Sequence, residues 1–108
     1  MDKLLIRDQE FKNLNFSENR LQKGDYENCT FVNCILANSD LSAINFLECE
    51  FRSCNLSGAI FENTVLEKTD FRTSFNFSID PEINKIKKAK FSKEGAIGLL
   101  YKYNIEIE

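Results

Sequence analysis

The chain has 108 residues, a formal net charge of −3 and charged residues at 29%. That length fits one domain with a usable but thin core, and the mildly acidic balance argues against direct nucleic-acid binding. The chain has no His, no glycine-rich phosphate loop and no nucleophile elbow, which argues against an enzyme, so no cofactor is expected.

The N-terminus, "MDKLLIRDQEF", has too short an apolar run for a signal peptide. No stretch approaches the roughly 18 apolar residues of a membrane span. A cytoplasmic setting without membrane contact is therefore expected, and structural disulfides are rare there. Residues 1–8 are expected to cap the domain, with Leu5 or Ile6 as the plug.

From residue 9 to 74 the chain repeats every five residues, a period that neither a helix nor a flat strand has. Phe11, Phe16, Leu21, Tyr26, Phe31, Leu36, Leu41, Phe46, Phe51, Leu56, Phe61, Leu66 and Phe71 are all large and apolar. The position two before each is small from Gly24 onward, with Ile44 the exception. The other three positions are mostly polar. Two inward and three outward residues per five describe a chain that turns a corner at each pentad, as a solenoid of short strand-like segments does.

"ANSDL", "SCNLSGAIF" and "KTDF" resemble the pentapeptide-repeat pattern, in which Ala, Ser or Cys precedes Asp or Asn and then Leu or Phe. The resemblance implies an all-β solenoid: a right-handed quadrilateral β-helix with four pentads per coil, here about four coils. Residues twenty apart then stack. Phe11, Phe31, Phe51, Phe71 and, by register, Phe91 form an all-Phe ladder, and Ile86 continues the column of Tyr26, Phe46 and Leu66.

Four cysteines occur as two C-x4-C pairs, Cys29/Cys34 and Cys49/Cys54. Two such pairs could supply a tetrahedral zinc site, although the spacing is wider than in zinc fingers. A Cys29–Cys49 disulfide lies near the allowed Cα window at a coil spacing of about 4.8 Å. The favoured reading is that cysteine fills the small inward slot as a buried hydrophobe, with all four thiols reduced and metal-free.

On the outside, Glu10, Glu50 and Asp70 lie beside Lys12, Arg52 and Arg72 as surface pairs of little individual weight. Asp25, Glu27, Glu48 and Glu67 make the most acidic face, opposed only by Lys68. Such a stripe could imitate DNA phosphates in a basic groove, or it could be a solvated face that keeps the protein soluble.

The register slips in 75–91. Asp80-Pro81-Glu82 has the pattern of an N-cap, a first-turn Pro and an acidic first turn, and "KKAKF" then resumes the repeat. Lysines 85, 87, 88, 90 and 93 are read as the solvated side of the last coil. In residues 92–108, Ser92 is a candidate N-cap for a helix from about Lys93 to Tyr103, with Asn104 as its left-handed stop. "IEIE" then alternates as a short strand.

The tail "SIDPEINKIKKAKFSKEGAIGLLYKYNIEIE" resembles the C-terminus of the bacterial quinolone-resistance, topoisomerase-protecting pentapeptide proteins, in a shorter chain. That resemblance implies a non-enzymatic protein-interaction module, a DNA-mimicking binder of DNA gyrase or topoisomerase IV. It also implies a homodimer formed through the C-terminus, where Ile97, Leu99, Leu100, Tyr101, Ile105 and Ile107 are the cap or dimer candidates. The alternative is a structural repeat scaffold with no topoisomerase activity.

Overall fold

The computed structural model describes residues 4–17 and 20–108. They form a rod with principal extents of 46 × 26 × 23 Å. The chain winds so that each residue lies beside the one twenty later. Strand β1 (Leu5–Arg7) pairs in parallel with β3 (Asp25–Glu27). Strand β2 (Glu10–Lys12) pairs with β4 (Thr30–Val32), which pairs with β5 (Glu50–Arg52). Single parallel bridges extend the columns, through Asn45 and Val65 to Lys85 on one face and through Asp70 to Lys90 on the next. Each of these two columns therefore has five rungs.

One pentad explains the geometry. The large residue and its two neighbours are extended, and the ladder bonds run up and down the axis, as in Phe46 N–H to Val65 O at 2.8 Å and Asn45 N–H to Gly24 O at 3.1 Å. The next residue takes a left-handed conformation: Asn28, Asn33, Asn38, Ala43, Glu48, Ser53, Asn63 and Lys68 all have φ between 52° and 60°. The N–H after it turns back to the large residue's carbonyl, as Cys49 does to Phe46 at 3.0 Å. This is a turn that requires positive φ at its third position, which is why Asn recurs there. Reading the three outward positions together as merely polar passes over this signal.

The interior is filled. Phe31, Phe51 and Phe71 are fully buried. Their rings stack at 5.0 and 5.2 Å, and Phe11 and Phe91 extend the ladder at 4.8 and 5.4 Å. Stacking follows directly from in-register repetition, because identical residues lie one coil apart. Truncating one of the central rings would cost about 3–5 kcal/mol.

The small inward slot is more than a space-filler. The Sγ atoms of Cys29, Cys34, Cys49 and Cys54 lie 3.6, 3.3, 2.7 and 3.2 Å from the carbonyl oxygens of Ile6, Phe11, Tyr26 and Phe31. Thr64 and Thr69 donate in the same way to Leu41 and Phe46, and Ser74 to Phe51. The acceptor is always twenty-three residues back. The slot thus takes small side chains with a donor, which refines the expectation of a plain buried hydrophobe. Gly24, Ile44 and Ala59 fill the slot without a donor, and the buried Ser39 hydroxyl has no partner there.

The two ends differ from expectation. Leu4 and Ile6 pack on the core while Leu5 is half exposed; residues 1–3 of the expected cap lie outside the described residues. In the last coil Phe77 and Ile79 turn inward and Phe75 outward, with Asn76 left-handed between the two Phe residues. Asp80 does cap, its Oδ1 accepting from Glu82 N–H at 2.9 Å, but only a single turn follows. Asn84 then re-enters the small slot and donates to Phe61 O at 2.8 Å, so the coil is back in register by residue 84.

The expected helix over 93–103 is replaced by two short 3-10 turns, Gly95–Leu99 and Tyr101–Tyr103. Gly98 packs so tightly on Phe77 that a Cβ would sit 2.5 Å from its carbonyl oxygen, and this close seat holds the segment down. Ser92 does cap the first turn, accepting from Gly95 N–H at 2.9 Å, and Asn104 is left-handed as expected. The "IEIE" segment, expected as a short strand, pairs with no strand among the described residues.

Candidate interaction surface

A filled rod offers chemistry only on its outside. Among the described residues, no three His, Cys, Asp or Glu side chains gather where a metal ion could be held. The four thiols are free and buried. Burial pushes the Cys49 thiol up to about 12, and the hydrogen bond with Cys34, together with burial, holds Cys54 up as well. No helix among the described residues is long and apolar enough to cross a membrane.

Asp25, Glu27, Glu48 and Glu67 do share one face, the one over Tyr26, Phe46 and Leu66. The ladder fixes their places. Asp25 follows Leu5 in the column that continues through Asn45, Val65 and Lys85. Glu27 follows Arg7 in the column that continues through Leu47, Glu67 and Lys87, as the bonds from Asn28, Glu48 and Lys68 N–H to Leu47, Glu67 and Lys87 O record, each at 3.0 Å. Glu48 stands between Asn28 and Lys68, with Lys88 beyond. Glu27 pairs with Arg7 at 3.3 Å.

The lysines change the character of this face. Because the last coil regains register, Lys85, Lys87 and Lys88 lie on the same face as the carboxylates, one rung above Val65, Glu67 and Lys68. After a neutral first rung of Leu5, Arg7 and Asp8, the face is acidic over the next two rungs and basic at its C-terminal end. The modulo-twenty arithmetic that stacked the cysteines places these lysines equally well, so the signal was present in the sequence.

The surface pairs over the Phe ladder form as expected at two rungs, with Arg52 against Glu50 and Arg72 against Asp70, both at 2.9 Å. Asp40 is bonded by the Ser42 hydroxyl and N–H and by Lys23, which brings its carboxyl down to about 2.

At the C-terminal end, Leu99 packs on the core. Ile97, Leu100, Tyr101, Asn104, Ile105 and Ile107 line a surface groove. Leu100, Tyr101, Ile105 and Ile107 are each more than a third exposed. Lys102 ties this segment to the rod through Asp80 at 3.0 Å and Glu82 at 2.6 Å.

Residues 34–72 match the family of pentapeptide repeats, in eight copies. No curated protein matches the sequence. Among solved structures, a trypsin-treated form of QnrB1, a plasmid-mediated fluoroquinolone resistance protein, is 16% identical over 95% of this chain and 99% of that one, with a TM-score of 0.43. Full-length QnrB1 is 14% identical over 92% and 99%, with a TM-score of 0.37. The pentapeptide repeat protein Rfr23 from the cyanobacterium Cyanothece 51142 is 16% identical over 82% and 84%, with a TM-score of 0.39.

Proposed function

We propose that this pentapeptide-repeat chain is a non-enzymatic interaction rod whose working surface is the face carrying Asp25, Glu27, Glu48 and Glu67. The observation that carries the reading is the rigid ladder beneath that face. It holds outward side chains at fixed intervals of about 4.8 Å on a backbone that needs no ordering on binding. A filled interior, lacking the concave pocket that chemistry needs, directs attention to the outside in any case.

The specific partner implied by the tail is a bacterial type II topoisomerase, approached as a mimic of DNA. The acidic rungs favour this. The lysine rung at 85–88 limits the mimicry, since duplex DNA is negative along its whole length. A gyrase supercoiling assay with added protein, with and without a fluoroquinolone, tests it. Inhibition at low micromolar protein, or relief of drug-induced cleavage, that is lost in the joint charge reversal D25K/E27K/E48K/E67K is the expected result. No effect in either arm leaves the alternative, a structural scaffold without topoisomerase activity.

The exposed apolar groove of Ile97, Leu100, Tyr101, Ile105 and Ile107 supports a dimer through the C-terminal segment, since contiguous apolar surface of this kind marks contact sites. A sedimentation mass of one chain at micromolar concentration would count against that dimer.

A further inference from the structure

The charge on the acidic face is graded along the rod. Above a neutral first rung of Leu5, Arg7 and Asp8, the rung of Asp25, Glu27 and Asn28 carries two negative charges, and that of Asn45, Leu47 and Glu48 carries one. The rung of Val65, Glu67 and Lys68 is neutral, and that of Lys85, Lys87 and Lys88 carries three positive charges. The in-chain ion pairs include Arg7–Glu27, Lys23–Asp40, Glu50–Arg52, Asp70–Arg72 and Lys102 with Asp80 and Glu82. None of them neutralises Lys85, Lys87 or Lys88, which stand exposed.

A partner for this face must be basic at one end and acidic at the other. We infer that the partner is a second copy of this chain, laid face to face and antiparallel, with Asp25, Glu27 and Glu48 of each copy against Lys85, Lys87 and Lys68 of the other. The inference rests on the reading of this face as an interaction surface and names its occupant.

The pairing follows from symmetry. Two rods packed on the same face with opposed axes are related by a two-fold axis lying across both. That operation keeps each column facing its own column and reverses the order of the rungs. With the axis between the Glu48 and Lys68 rungs, Asp25 meets Lys85 in one column and Glu27 meets Lys87 in the next. Glu48 meets Lys68 in the third, Asn28 lies opposite Lys88, and Asn45 lies opposite Val65. A single axis satisfies all three columns, and none of them sets like charges opposite one another. A parallel arrangement would set each rung against its own copy, acid on acid and lysine on lysine.

The overlap is four rungs, about 19 Å of rod, which places the contact at the small end of protein interfaces. Its attraction comes from exposed charges and is screened by salt. The association is therefore weak and disappears at high ionic strength. An apolar C-terminal dimer would survive the same salt, so ionic strength separates the two.

The test is the weight-average mass by sedimentation at 20 and 500 mM NaCl, near 100 µM protein. The wild-type mass should rise at low salt, above whatever species persists at high salt. E27K alone and K87E alone should each abolish the rise, and E27K/K87E should restore it, because the swap recreates both contacts across the two-fold. These two residues lie three rungs apart, about 14 Å, so the swap cannot be rescued within one chain. Thermal melts of each variant check folding, since E27K also loses Arg7; if E27K is unfolded, D25K with K85D replaces that pair. Absence of a salt-dependent rise, or a double variant that stays at the high-salt mass, overturns the proposal. A rise that survives both single variants also overturns it and assigns the association to another surface. The gyrase result is read separately. Inhibition that requires the carboxylates, with no self-association, keeps the face as an interaction surface and gives it a different occupant.

Discussion

The Thr69 hydroxyl donates to the carbonyl oxygen of Phe46 at 2.8 Å, twenty-three residues back along the chain. The same oxygen accepts the Cys49 N–H at 3.0 Å. Thr69→Val keeps the shape and removes only the donor. The carbonyl retains its turn bond, so the loss should be about 1 kcal/mol of unfolding free energy in urea. Ser39→Ala is the control. Its buried hydroxyl has no partner, so removal should be neutral or slightly stabilising. Equal losses at the two sites would show that this hydrogen-bond column adds nothing.

Gly58 sits at φ 71°, in the corner position that other pentads fill with Asn, Ala, Glu, Ser or Lys. Its restriction is therefore steric as well as conformational. A Cβ there would lie 2.2 Å from Asn38 Oδ1, one rung below. Gly58→Ala should lower the melting temperature by several degrees, equivalent to about 1–2 kcal/mol. Asn38→Gly removes the obstructing amide and should recover part of the loss in the double variant. Strictly additive losses would mean that the two side chains do not collide.

Stability should fall in acid. The Asp40 carboxyl lies at about 2, brought down by its Ser42 hydrogen bonds and by Lys23, and Asp70 is lowered by Arg72. A carboxylate whose folded pKa lies below its unfolded value of about 3.9 stabilises the fold above that value. The contribution is lost as pH drops through the folded pKa. Melting temperature should hold steady from pH 7 to 5 and decline from about pH 4 toward 2. Asp40→Asn should flatten part of the decline. The effect is small, since Asp40 is exposed and screened.

The four thiols should be inert in the native rod. They are buried and bonded to backbone carbonyls, and burial pushes the Cys49 thiol up to about 12. A disulfide-exchange reagent at pH 8 should find almost no thiol in native protein and four after denaturation. Fewer than four under denaturing, non-reducing conditions would reveal a disulfide. Stoichiometric zinc by elemental analysis would revive the metal reading.

Much of this architecture is written locally. The five-residue period, the all-Phe ladder and the stacking of Cys49 over Cys29 all follow from counting, because a solenoid converts sequence separation directly into height. Modulo twenty, the same counting places Glu27 beneath Glu67 and Lys87. The acidic face and its basic end are thus properties of the sequence.

Other features were decided only by the folded chain. The donor role of the cysteines depends on where the Tyr26 and Phe31 carbonyls point, and composition does not record that direction. Phe77 rather than Phe75 turns inward because left-handed Asn76 shifts the chain by one place. Residues 93–103 have helical spacing, yet they close as two 3-10 turns where Gly98 must seat against Phe77 and Lys102 must reach Asp80 and Glu82. Periodicity governs structure where every rung repeats the environment of the last. At the ends of the rod the environment is unique, and packing overrides local preference.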